Sequence, residues 1–173
     1  MKLLKAGKVI TLIMEIVAII GAVLQLSVVV MAFVDPQLLL ENGTFNINGI
    51  DITKPLHLIE NPSIPLAIVF LSGAIAMGIT ALMLHRMHGI IVETMAGKPF
   101  QPRTVKWMKQ IGYCAVVMPL VSAVMSIVAM LISVDGIHAT LDLSGLLMGI
   151  LVLCLTHVFA YGLELQKDVD GLL

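Results

Sequence analysis

Charge is scarce in this chain. Asp, Glu, Lys and Arg make up 12% of its 173 residues, where a soluble domain carries about 25%. Hydrophobic residues reach 59%. A soluble fold of this size has nowhere to hide them, because roughly a third of its unfolded surface stays wet. Basic excess is missing too: the net charge is −1, which argues against a nucleic-acid footprint. Cysteine is limited to Cys114 and Cys154, both within apolar runs. They read as small hydrophobes, and a secreted disulfide framework is excluded. Catalytic signatures are lacking as well: the sequence holds no HExxH, GxSxG, P-loop or GxGxxG. No enzyme activity, cofactor or metal is therefore expected. Transporters usually carry more spans, internal repeats and helices broken near the midplane. Here Pro119 alone interrupts a span, and it reads as a kink.

What the sequence does have is long apolar runs. Residues 9–34, 64–84, 110–134 and 143–160 each approach or exceed the roughly 20 residues needed to cross a hydrocarbon core of about 30 Å. They occupy about half the chain, leaving no room for a separate soluble domain. The expected fold is an all-α membrane protein, a single domain over 1–173 built as a four-transmembrane-helix bundle. The first run follows Lys2, Lys5 and Lys8, as a signal peptide would. It is too long for an h-region and lacks a small-x-small cleavage site before Asp35, so it reads as a retained span.

Orientation follows from the positive-inside rule. Nine of the ten basic residues fall on one side: Lys2, Lys5, Lys8, Arg86, Lys98, Arg103, Lys106, Lys109 and Lys167. Only Lys54 falls on the other, among Asp35, Glu41, Asp51 and Glu60. Both ends are expected in the cytoplasm, at the bacterial inner membrane. Trp107, Tyr113 and Tyr161 sit at cytoplasmic span ends, where amphipathic rings prefer to lie.

Two segments between the spans are informative. In the external loop 35–63, residues 44–52 alternate around Asn48-Gly49, a strong signal for a small β-hairpin. In the cytosolic segment 86–109, nothing after Leu84 breaks a helix before Gly97-Lys-Pro99. Apolar residues at 87, 90, 91 and 95 keep helical spacing, so span two should overrun to about Ala96. Pro102 suits the first turn of the next helix, with Val105, Met108 and Ile111 in register. Each helix would then be about 50 Å long, a cytosolic hairpin with its tip at 97–101. Span four should overrun likewise into the tail 161–173. Small residues at Ala18/Ala22, Ala74/Gly78 and Gly145/Gly149 permit close helix contact, within one bundle or in a homo-oligomer.

Ionisable residues inside a membrane are functional candidates by default. Glu15, His85 and His157 share a depth band near the inner end of their spans. The plainer reading is a buried Glu15–His pair, or a Glu15 that reaches toward water past Lys8; the sharper one is a proton- or cation-sensing site. His85 and His88 are spaced to share a metal with Glu15, but histidines on a basic membrane edge read more simply as interface residues.

At the tip and tail the sequence resembles a bacterial membrane family, domain of unknown function 2975. One stretch is Gly97-Lys-Pro-Phe-Gln-Pro-Arg-Thr-Val-Lys-Trp-Met-Lys-Gln-Ile-Gly112, similar to that family's Gly-x-Pro-Phe, spacer, Asn, basic, Ile-Gly pattern. The other is Phe159-Ala-Tyr-Gly-Leu-Glu-Leu-Gln-Lys-Asp-Val-Asp170, similar to its C-terminal Phe-x-x-Gly-x-x-Leu-Gln-x-x-x-Asp. The chain departs at Thr104, where Asn is usual, and at Gly171-Leu-Leu173, which replaces a more polar ending. Members are typically encoded beside a small Cro-type helix-turn-helix protein. The resemblance thus implies a membrane partner that holds or releases a DNA-binding regulator. Pro99, Phe100, Arg103, Lys106, Asp168 and Asp170 are the expected contact residues. Alternatively, the four charged residues pair with one another. A different class of function remains open in the sequence: a small ion-coupled transport or channel subunit using Glu15 and the histidines. A third is a lipid-facing structural protein with no switch.

Overall fold

The computed structural model describes residues 2–35, 45–47, 50–52, 63–97, 101–132, 137–139 and 143–170. Four helices dominate: α1 (Lys2–Val34), α2 (Ser63–Met95), α3 (Pro102–Ile132) and α4 (Leu143–Asp170). All four are long and apolar enough to cross a membrane. On α1, Ile10, Ile13, Val17, Ile20 and Leu24 are each more than half exposed. An apolar surface of that extent is a liability in water and is the ordinary outer face of a span in lipid. The protein is a multi-pass membrane protein.

The helix boundaries have local causes. Gly97 takes φ +75°, a left-handed conformation that closes a helix at little cost to glycine. Its N–H donates to the Thr94 carbonyl at 3.1 Å, tightening the last turn of α2. Pro102 opens α3, where its missing N–H costs nothing. The Gln101 carbonyl accepts the Val105 N–H at 3.2 Å, which makes Gln101 the cap. α2 has 33 residues, about 50 Å at 1.5 Å per residue, against roughly 30 Å of hydrocarbon. α3 runs unbroken through Pro119, although that residue cannot donate to the carbonyl four residues earlier.

The chain divides into two compact units, each assembled from separate stretches. The first comprises Met1–Val17, Thr80–Val117 and Ser144–Leu173. In it α1 and α2 run antiparallel, with Gly7 opposite Ile91 (3.6 Å from the position a Cβ would take). α3 and α4 are closer still. A Cβ on Gly149 would fall 2.8 Å from the Val116 backbone nitrogen, and one on Gly112 would fall 2.6 Å from a Leu153 methyl. Gly149, the second small residue of the Gly145/Gly149 pair, is thus used for packing within the chain.

The second unit comprises Ala18–Ile79 and Met118–Leu143. Leu66, Val69 and Ala32 are fully buried in it, and the Ser72 hydroxyl returns to the Val69 carbonyl at 2.6 Å. Gly21 lies against Met77, whereas Gly78 faces open space. The alternating segment contributes β1 (Phe45–Ile47) and β2 (Ile50–Ile52), antiparallel, with Phe45 opposite Ile52. Asn48 and Gly49, where the turn was expected, lie outside the described residues. A third strand, β3 (Ile137–Ala139), pairs with the other edge of β2 and sets His138 opposite Asp51. Three residues in the short loop 135–142 carry too little pattern to announce a strand. Pairing is what defines it, since two strands alone are marginal in water.

Candidate functional site

The chemistry-bearing residues gather in the first unit. Glu15 of α1 and His85 of α2 meet, with Oε1 3.0 Å from Nδ1. Their exposures differ: the His85 side chain is 62% exposed and that of Glu15 only 17%. A carboxylate set in an apolar run needs such a partner, since an isolated charge out of water is costly. One turn towards the N-terminus, the buried Thr11 hydroxyl lies 3.4 Å from His88 Nδ1 and also donates to the carbonyls of Gly7 and Lys8, at 2.9 and 3.0 Å. Glu15/His85 and Thr11/His88 thus form two rungs of one polar seam. The spacings of four on α1 and three on α2 place each pair on a single face. Sequence alone anticipated a Glu15–His pair without deciding which histidine it used.

His157 is not joined to that seam. It lies on α4 and lines a groove of about 250 Å³ with Lys109, Tyr113 and Thr156. Lys109 Nζ sits 5.9 Å from the Tyr113 ring centroid, and the Thr156 hydroxyl is taken up by the Val152 carbonyl. Among the described residues, no three His, Cys, Asp or Glu side chains gather as a metal ion would require. Cys114 and Cys154 are free thiols.

At the tip, Arg103 and Lys106 are exposed on the first turns of α3, and Asp168 is exposed near the end of α4. Among the described residues neither base pairs with Asp168. The Arg103 guanidinium instead stacks on the Trp107 ring at 4.5 Å from its centroid. Pro99, Phe100 and the Asp170 side chain lie outside the described residues. Trp107 itself is buried against Gly89, so it joins α2 to α3. The sequence reading missed this contact; its one signal was a glycine within an otherwise helix-favouring stretch.

The family model described as a protein of unknown function (DUF2975) matches residues 48–171. The chain belongs to this family. The match takes in both signature stretches, 97–112 and 159–170, together with α2, α3 and α4. No curated protein and no solved structure matches this DUF2975 chain.

Proposed function

We propose that this DUF2975 protein is a non-enzymatic regulatory partner in the bacterial inner membrane, binding a small cytosolic helix-turn-helix transcription regulator through its tip and tail. Both termini and the α2–α3 tip lie in the cytoplasm on this reading, because nine of ten basic residues share that side. The sheet β1–β2–β3 then faces outward. Helices of 28 to 33 residues exceed the bilayer core, so α2, α3 and α4 carry their inner ends into the cytosol. The observation that carries the proposal is the unspent charge at that end. Arg103, Lys106 and Asp168 are exposed and do not neutralise one another. Acidic Asp168 and Asp170 suit the basic DNA-reading face of such a regulator, so holding it here competes with DNA.

The test is co-purification, in mild detergent, with the small helix-turn-helix protein that the family resemblance implies as its neighbour. Arg103→Glu with Lys106→Glu should abolish it, and Asp168→Lys should weaken it. Retention through all three changes would remove the proposal.

The Glu15–His85 contact favours a second reading, a small ion-coupled subunit in which that pair exchanges a proton or cation. Glu15→Gln in sealed vesicles should then stop flux; unaltered flux would dispose of it.

A further inference from the structure

The groove that holds His157 runs between α3 and α4 within the first unit and measures about 250 Å³. Leu153, packed on Gly112, closes its floor. Lys109 stands on the α3 wall, with its Nζ 5.9 Å from the Tyr113 ring centroid. His157 stands on the α4 wall. The neighbouring Thr156 hydroxyl is already spent on the Val152 carbonyl. The walls thus bring together an ammonium and an imidazole, and no carboxylate lines them. Among the described residues, no carboxylate pairs with Lys109 or His157 elsewhere either.

The height of the groove along the helices narrows what can fill it. Lys109 is the last charged residue of α3, and α4 carries none between Leu143 and Glu164. The groove therefore sits where charge gives way to the apolar span. Glu164 lies seven residues past His157, about 10 Å along the helix, too far to neutralise it. Basic pockets between spans at such a level take anionic lipid headgroups.

We propose that this groove binds the phosphodiester headgroup of an anionic phospholipid. The Lys109 ammonium and a ring N–H of His157 donate to the phosphate oxygens from opposite walls. The exposed Tyr113 ring and Leu153 carry the start of the acyl chains. The volume falls below the roughly 300–1,000 Å³ of pockets that enclose a whole small ligand, so the headgroup enters and the chains stay in the bilayer. A zwitterionic headgroup would bring an ammonium with no carboxylate to meet it. The site rests on the chain spanning a membrane. It does not depend on a docked regulator or on which end faces the cytoplasm.

The full-length protein in mild detergent is titrated with phosphatidylglycerol, and with phosphatidylethanolamine of the same acyl chains. Native mass spectrometry reads the lipid-bound fraction. Phosphatidylglycerol should bind saturably and about fivefold more tightly, and excess water-soluble glycerol 3-phosphate should not displace it. Lys109→Gln should weaken its binding about fivefold, the worth of one basic residue beside anionic lipid. Lys109→Arg should preserve binding. His157→Phe should weaken it, and His157→Gln, which keeps an N–H donor, should weaken it less. Lys8→Gln removes the same charge from exposed α1, outside the groove, and should leave binding unchanged. Both lysine and histidine are exposed, so these changes spare the packing. Equal binding of the two lipids, displacement by glycerol 3-phosphate, or an equal loss from Lys8→Gln and Lys109→Gln would overturn the site.

Discussion

Gly89 of α2 and Trp107 of α3 are fitted to each other. A Cβ placed on Gly89 would lie 2.7 Å from ring atom Cζ3 of Trp107 and 2.9 Å from Cη2. The Arg103 guanidinium lies over the ring, 4.5 Å from its centroid, so it has a cation–π partner as well as a helix to lie on.

That fit makes Gly89→Ala destabilising even though alanine is the better helix former by about 1 kcal/mol. Overpacking a closed contact costs about 1–3 kcal/mol, which outweighs the propensity gain. Thermal unfolding in detergent should show a lower midpoint for Gly89→Ala. The double variant with Trp107→Leu should show no added penalty from the alanine, since the obstructing ring is gone.

The α3–α4 contact should be less forgiving. On Gly149 the atoms in the way are the Val116 backbone nitrogen at 2.8 Å and the Ala115 carbonyl carbon at 3.0 Å. A side chain can turn aside, but backbone cannot unless the helices separate. Gly149→Ala should therefore lower the unfolding midpoint more than Gly89→Ala does. Gly78→Ala, with nothing within 4 Å, should be neutral or raise it slightly, by up to about 1 kcal/mol of helix propensity.

These glycines also mark where sequence reasoning stopped. The ends of α2 and α3 were legible because Gly97 and Pro102 impose local backbone rules, and the helix closes at Met95, one residue from the boundary read at Ala96. The need for a Glu15 partner was legible because a charge in an apolar run cannot stand alone. Rotation of one helix against the next was not. Along the spanning lengths of α1, α2 and α3 apolar residues fall on every side, so no stripe says which face turns inward. His85 and His157 therefore looked equivalent as partners for Glu15, and the packing of Trp107 on Gly89 could not be read. The burial of Thr104 was illegible for the same reason: its neighbours Arg103 and Lys106 are charged and exposed, and nothing local marks it as the buried residue.

Gly97 yields a prediction independent of packing. Nothing lies within 4 Å of the place a Cβ would occupy, yet φ is +75°. An L-residue in the left-handed region costs about 1–2 kcal/mol, and asparagine tolerates it best. Gly97→Val should therefore lower the unfolding midpoint and raise proteolytic cutting at the α2–α3 turn, while Gly97→Asn should nearly preserve both. Equal effects from the two would mean that the turn relaxes rather than holding its conformation.

The Glu15–His85 pair should respond unequally to loss of either member. His85→Ala leaves a carboxylate that is only 17% exposed, without its partner and with little access to water. Such an orphaned group costs about 1–3 kcal/mol. Glu15→Ala leaves an imidazole that is 62% exposed and can find water or lipid headgroups, so the loss should be smaller, nearer the ~0–1 kcal/mol of an exposed pair. Unfolding midpoints should fall in the order native, Glu15→Ala, His85→Ala. The double variant should recover part of the His85→Ala loss, because the stranded carboxylate is then removed as well. The reverse order would mean that the carboxylate, not the imidazole, has an alternative partner, and Thr11 with His88 one turn away would be the place to look.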